Sequence, residues 1–136
     1  VVAAYHYLLR NDEGETMKPL NYASLEASKQ LVDAGIVLET DLYHKKIAWL
    51  DGTVGYGLTN YINDPDIICP APCFTEVWRE LPEYTGLDKF EGKNDAELTM
   101  KNSSGIIVFH KARNTNPTDA LIDLLIWLRK EEADEG

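Results

Sequence analysis

The stretch Cys69-Pro70-Ala71-Pro72-Cys73 holds both cysteines of the chain, and metal or redox chemistry would have to start there. Zinc takes thiolate and imidazole ligands, typically a C-x₂₋₄-C pair joined by two further ligands. Three residues separate Cys69 from Cys73, which that spacing permits, and His44 and His110 could complete a set of four. The two histidines stand far apart, with no paired spacing of their own. Dithiol redox motifs use C-x-x-C at a helix N-terminus, where the dipole stabilises a thiolate. Here the gap is one residue longer, although Cys73 does precede a predicted helix. The plain reading is two half-buried thiols in a proline-stiffened loop, with no cofactor.

Other constellations fall short of a site. Asp51-Gly52-Thr53-Val54-Gly55-Tyr56-Gly57 is glycine-rich, but a phosphate loop needs its glycines to open a helix. These sit in a predicted hairpin, where they serve a turn and a strand bend. Asp119 and Asp123 share one helix face, as do Glu76 and Glu80; such pairs read as solvated faces rather than an acid and a base across a cleft. Asn63-Asp64-Pro65-Asp66 lacks the glycine and the distal Glu of a calcium loop. Ser24, Ser28, Ser103 and Ser104 lie in a helix or a turn, and none occupies a G-x-S-x-G elbow. His110 reads as a lone strand histidine, structural or merely exposed.

Aromatic residues are the remaining signal. Three tryptophans and seven tyrosines exceed what so small a core requires. Trp127 is expected in the core, whereas Tyr56, Tyr61 and Tyr84 fall in or near loops, where tyrosine favours protein contacts.

The elements that must position these residues follow from pattern. A helix is expected over 22–34, with Ala23, Ala27, Leu31 and Ala34 at three- and four-residue steps, Asn21 as N-cap and Gly35 past its end. Tyr43 to Trp49 and Thr53 to Leu58 flank Asp51-Gly52, a strong hairpin signal. Tyr43, Ile47 and Trp49 share a face, with Lys45 the polar exception. Residues 60–72 read as loop. A short helix is expected over 76–81, capped by Thr75, striped by Val77, Trp78 and Leu81, and stopped by Pro82. Glu83 to Asn94 reads as irregular. Glu97 to Lys101 and Ile106 to Arg113 form a second hairpin, the latter strand apolar on both faces and therefore expected inside the sheet. Asn116-Pro117-Thr118-Asp119 starts a third helix over 117–131, apolar nearly all round from Ala120 to Leu128. Residues 132–136 read as a frayed tail, and 1–16 as an edge strand or as leader sequence ahead of Met17.

These elements predict a single α+β domain spanning 1–136, with two β-hairpins in one antiparallel or mixed sheet packed by three helices. The chain has 136 residues, 44% hydrophobic and 26% charged, the proportions of a globular protein. Thirteen Lys and Arg stand against 23 Asp and Glu, a net charge of −10. Nucleic acid and anionic membrane surfaces repel such a chain. No stretch reaches the ~18 apolar residues of a membrane span. Two cysteines make no disulfide framework, which fits a reducing compartment.

Several of these segments together resemble a known group. Leu31-Val32-Asp33-Ala34-Gly35-Ile36, Thr40-Asp41-Leu42-Tyr43, Pro70-Ala71-Pro72 with the helix ending Leu81-Pro82, and Asn116-Pro117 to Trp127-Leu128 are similar to small uncharacterised phage and prophage proteins of gut bacteria. The group commonly carries an aromatic–Ser pair before the short helix; here Cys73-Phe74-Thr75 departs from it. The resemblance implies no activity. It implies an accessory protein of a mobile element in a bacterial cytoplasm. The expected function is non-enzymatic protein binding, or self-association, through an acidic surface dotted with aromatics. The alternative is a small metal- or ligand-binding domain built on Cys69, Cys73, His44 and His110.

Overall fold

The computed structural model describes residues 21–102 and 105–135. The expected edge strand or leader, Met17, Ser103, Ser104 and Gly136 lie outside them. The order is α1 (Leu25–Asp33), β1 (Tyr43–Ala48), β2 (Val54–Thr59), β3 (Ile67–Pro70), α2 (Phe74–Trp78), β4 (Thr85–Phe90), β5 (Lys93–Asn102), β6 (Gly105–Asn114) and α3 (Pro117–Glu135). The class is α+β. The strands form two antiparallel three-stranded sheets, β2-β1-β3 and β4-β5-β6, where one sheet was expected.

The difference comes from two strands hidden in polar sequence. β3 lies inside the expected loop 60–72 and pairs with β1 at Tyr43, His44 and Lys45. β4 lies inside the expected irregular stretch 83–94 and pairs with β5 from Thr85 to Phe90. Each hairpin thereby gains a third strand. β6, expected inside the sheet, is an edge; β5 takes the centre.

Helix α1 starts later than its periodicity suggests. Ser24, not Asn21, is the N-cap, its Oγ accepting from the Ala27 N–H at 3.1 Å. Tyr22 is instead extended, bridged to Cys73. At the other end Gly35 takes φ +75°, its N–H donates to Val32 C=O and the Ile36 N–H donates to Leu31 C=O. That is a Schellman ending, and Leu31 and Ile36 are both buried beneath it. Ala34 is the exposed C-cap rather than part of the stripe.

Helix α2 is shorter than the expected 76–81 and begins at Phe74. Cys73, not Thr75, is its N-cap, and the Cys73 N–H donates to Glu76 Oε1 at 2.8 Å. Single turns carry the chain on to Leu81, ahead of Pro82. Helix α3 begins as expected, with the Thr118 N–H donating to Asn116 Oδ1 at 2.8 Å. It continues through Glu135, past the expected end at 131.

The core gathers around α3. Ala120, Leu121, Ile122, Leu124 and Leu125 are shut off from solvent. β5 and β6 cover one side of α3, and α1 and α2 cover others. Ala27, Leu31, Val77, Leu81, Ala96 and Leu98 complete the cluster. Each fully buried Leu or Ile contributes about 1.5–3 kcal/mol relative to exposure. The β2-β1-β3 sheet reaches this core through α1, which packs on β3.

The first hairpin turns through residues 50–52. The Trp49 N–H donates to Thr53 C=O and the Gly52 N–H donates to Trp49 C=O. Only Gly52 takes positive φ, at +87°; Asp51 does not, and its carboxylate accepts from Thr53 N–H and Oγ1 instead. A Cβ at Gly55 would meet Trp49 Nε1 at 2.8 Å, so glycine there admits the indole.

Candidate functional site

His44 is central in the first sheet, opposite Leu58 on β2 and Cys69 on β3. This face lies against α1. His44 Nε2 and Ser28 Oγ share a hydrogen bond of 2.9 Å, and both residues are buried. Burial holds the imidazole to about pKa 4 from its ordinary 6.5. Hydrogen bonding with the backbone at Ala23 and Ser24 opposes that lowering, and the charge of Lys29 adds to it. Burial likewise pushes the Cys69 thiol up, with Lys29 opposing. A thiol so placed is an inert packing group.

A serine bonded to an imidazole is half of a nucleophilic set. Ser28 is only 1% exposed, so no substrate reaches the hydroxyl. The pair is instead a polar rivet between α1 and β1. Sequence reasoning missed it because the two residues lie on different elements and neither belongs to a motif.

The four sequence candidates are not gathered. Cys69 adjoins His44 in register. Cys73 lies beyond the end of β3, at the start of α2, and lines a depression of about 290 Å³ with Asn21, Tyr22, Phe74 and Thr75. His110 is on β6 of the other sheet, its ring stacked on Trp127 at 3.7 Å and 8°. Among the described residues no group of three or more His, Cys, Asp or Glu could hold a metal ion. No helix among them is long and apolar enough to cross a membrane.

Lys45, the polar exception on its strand face, is buried, and so is Asp64 from the loop between β2 and β3. Their charges meet at 2.6 Å. The Lys45 hydrogen bond is the main reason the Asp64 carboxyl sits below its usual range; the Asp66 N–H helps. The paired acids are also not simply solvated. Glu76 is buried in its cap, while Glu80 stays outside and pairs with Arg129 at 3.2 Å. Asp119 is buried, its Oδ1 accepting from the Ser24 N–H at 2.8 Å. Burial raises the carboxyl of Asp119 and that of Asp123, which is only partly covered. An open depression of about 390 Å³ lies beside Asp123, lined also by Gln30, Asp33, Ala34 and Ile126.

The tyrosines expected to be accessible are so: Tyr56 at 56%, Tyr61 at 50% and Tyr84 at 48% exposure. Tyr56 and Tyr61 have company. Leu50 at the hairpin tip, Val54 on β2 and Ile62 in the next loop are also exposed. Between residues 43 and 62 the single acid is Asp51. Comparison with protein families, with curated proteins and with solved structures finds no match.

Proposed function

We propose that this chain is a non-enzymatic binding protein that holds a protein partner through the β1–β2 hairpin and the loop after it. One observation carries the reading: Leu50, Val54, Tyr56, Tyr61 and Ile62 are all exposed within a short, acid-poor segment of a chain with net charge −10. Interface centres are depleted in charge and enriched in aromatics, which supply large rigid contact area at small entropic cost. The setting we propose, from the resemblance, is an accessory role for a mobile element in a bacterial cytoplasm, without direct binding of nucleic acid or membrane.

The enzyme-like alternative has less support, since His44 and Cys69 are buried and His110 is on the other sheet. The test places a photo-crosslinking benzoylphenylalanine at Tyr56, at Tyr61 or, as control, at Lys130 on α3. Adducts are expected from positions 56 and 61 in host lysate, lost on Leu50→Ser. Adducts from position 130 alone would overturn the reading.

A further inference from the structure

We propose that the edge of β2 pairs with the β2 edge of a second copy of this chain, antiparallel, joining two first sheets into one. This deepens the binding reading above, which it rests on, by naming an occupant for the hairpin.

The backbone shows which groups are available. β1 and β2 are paired without interruption from Tyr43↔Thr59 to Ala48↔Val54. Antiparallel pairs alternate between bonded and non-bonded residues. The bond from Trp49 N–H to Thr53 C=O sets the phase, so Gly55 and Gly57 bond inward to β1. Val54 and Tyr56 therefore turn their N–H and C=O groups outward, and no other described residue accepts or donates to them. From Gly57 onward the strand is buried, which confines outside pairing to Val54–Tyr56 and the turn before it.

Edge strands commonly carry charge, proline or a bulge that discourages further pairing. The other edges of the two sheets do. β3 is short, ends at Pro70 and has a register shift opposite His44 and Lys45. β4 carries Asp88 and Lys89. β6 carries Lys111 and Arg113 and shifts register opposite Leu98 and Thr99. β2, Val-Gly-Tyr-Gly-Leu-Thr, has none of these.

Two features select a second copy as occupant. A two-fold axis at Gly55 sets Val54 of each chain opposite Tyr56 of the other, on one face. Aromatic with β-branched is a favourable cross-strand pair. Charge agrees. Two chains of net charge −10 repel broadly, but Asp51 is the only acid from residue 43 to residue 62, and Lys46, opposite Tyr56 on β1, is exposed. Carboxylate repulsion between two copies is therefore low at this edge.

Sedimentation velocity of the full chain, from micromolar to millimolar, tests this, with hydrogen exchange on the same samples. A monomer–dimer equilibrium is expected, in which the Val54 and Tyr56 amides gain protection as dimer forms. Val54→Lys places a charge on an exposed side chain and is expected to weaken the dimer at least about tenfold. Lys89→Thr on β4 should leave it unchanged, with circular dichroism confirming that both variants fold. A monomer up to millimolar concentration, or a dimer indifferent to Val54→Lys, overturns the proposal. A monomer that still gives a heterologous adduct from position 56 overturns self-pairing but leaves the binding reading standing. A β2 dimer with no heterologous adduct supports self-pairing and removes the second partner.

Discussion

His44 Nε2 and Ser28 Oγ lie 2.9 Å apart, buried between helix α1 and strand β1. The pair fastens the first sheet to the helix that ties it to the core. It also makes stability depend on the imidazole staying neutral.

His44 holds its proton in the fold only near pH 4, whereas the unfolded chain takes it up near 6.5. Stability from this group is thus complete above pH 6.5 and declines as pH falls toward 4. The loss across that window is roughly 3 kcal/mol. His44→Gln should flatten the decline in Tm between pH 6.5 and 4 relative to wild type. Parallel curves would show that His44 is not the titrating group.

Lys45 and Asp64 are buried together, and removing one strands the other. Asp64→Ala and Lys45→Ala are each expected to lower Tm well below that of the double variant Lys45→Met/Asp64→Leu. The depressed Asp64 carboxyl contributes stability above the usual carboxylate range, lost as pH falls through its folded value. A cycle of Lys45→Ala, Asp64→Ala and the double Ala variant that shows no coupling would contradict the pairing.

Gly55 admits the Trp49 indole. Gly55→Ala should displace the ring, cost about 1–2 kcal/mol in urea denaturation and shift tryptophan emission. Gly86→Ala, with open space at its Cβ, is the control and should change neither.

Asp119 accepts the Ser24 N–H while burial penalises its charge. Its raised carboxyl favours the fold as pH drops through the carboxylate range, the opposite sign from Asp64. Asp119→Asn keeps the acceptor and removes the charge, so Tm at pH 7 should hold or rise. Asp119→Ala leaves the Ser24 N–H unsatisfied and should cost about 1–3 kcal/mol. Equal losses in both variants would show that charge, not hydrogen bonding, is what the fold needs.

Local chemistry was legible along the chain. The Asn116-Pro117 start of α3, the Gly35 ending of α1, the Asp51-Gly52 hairpin and the apolar run Ala120 to Leu128 each follow from side-chain size, caps and turn preferences over a few residues. So did the exposure of Tyr56, Tyr61 and Tyr84. Tertiary pairing decided the rest. Ile67–Pro70 and Thr85–Phe90 carry little strand pattern of their own and become strands because β1 and β5 present unpaired edges to them. Lys45 could be recognised as polar on an apolar face, but only Asp64, folded over it, makes that burial tolerable. His44 meets Ser28 and pairs with Cys69 because a helix packs on a sheet. Separation along the chain carries no trace of such a meeting, because contacts between elements are set by how whole faces pack.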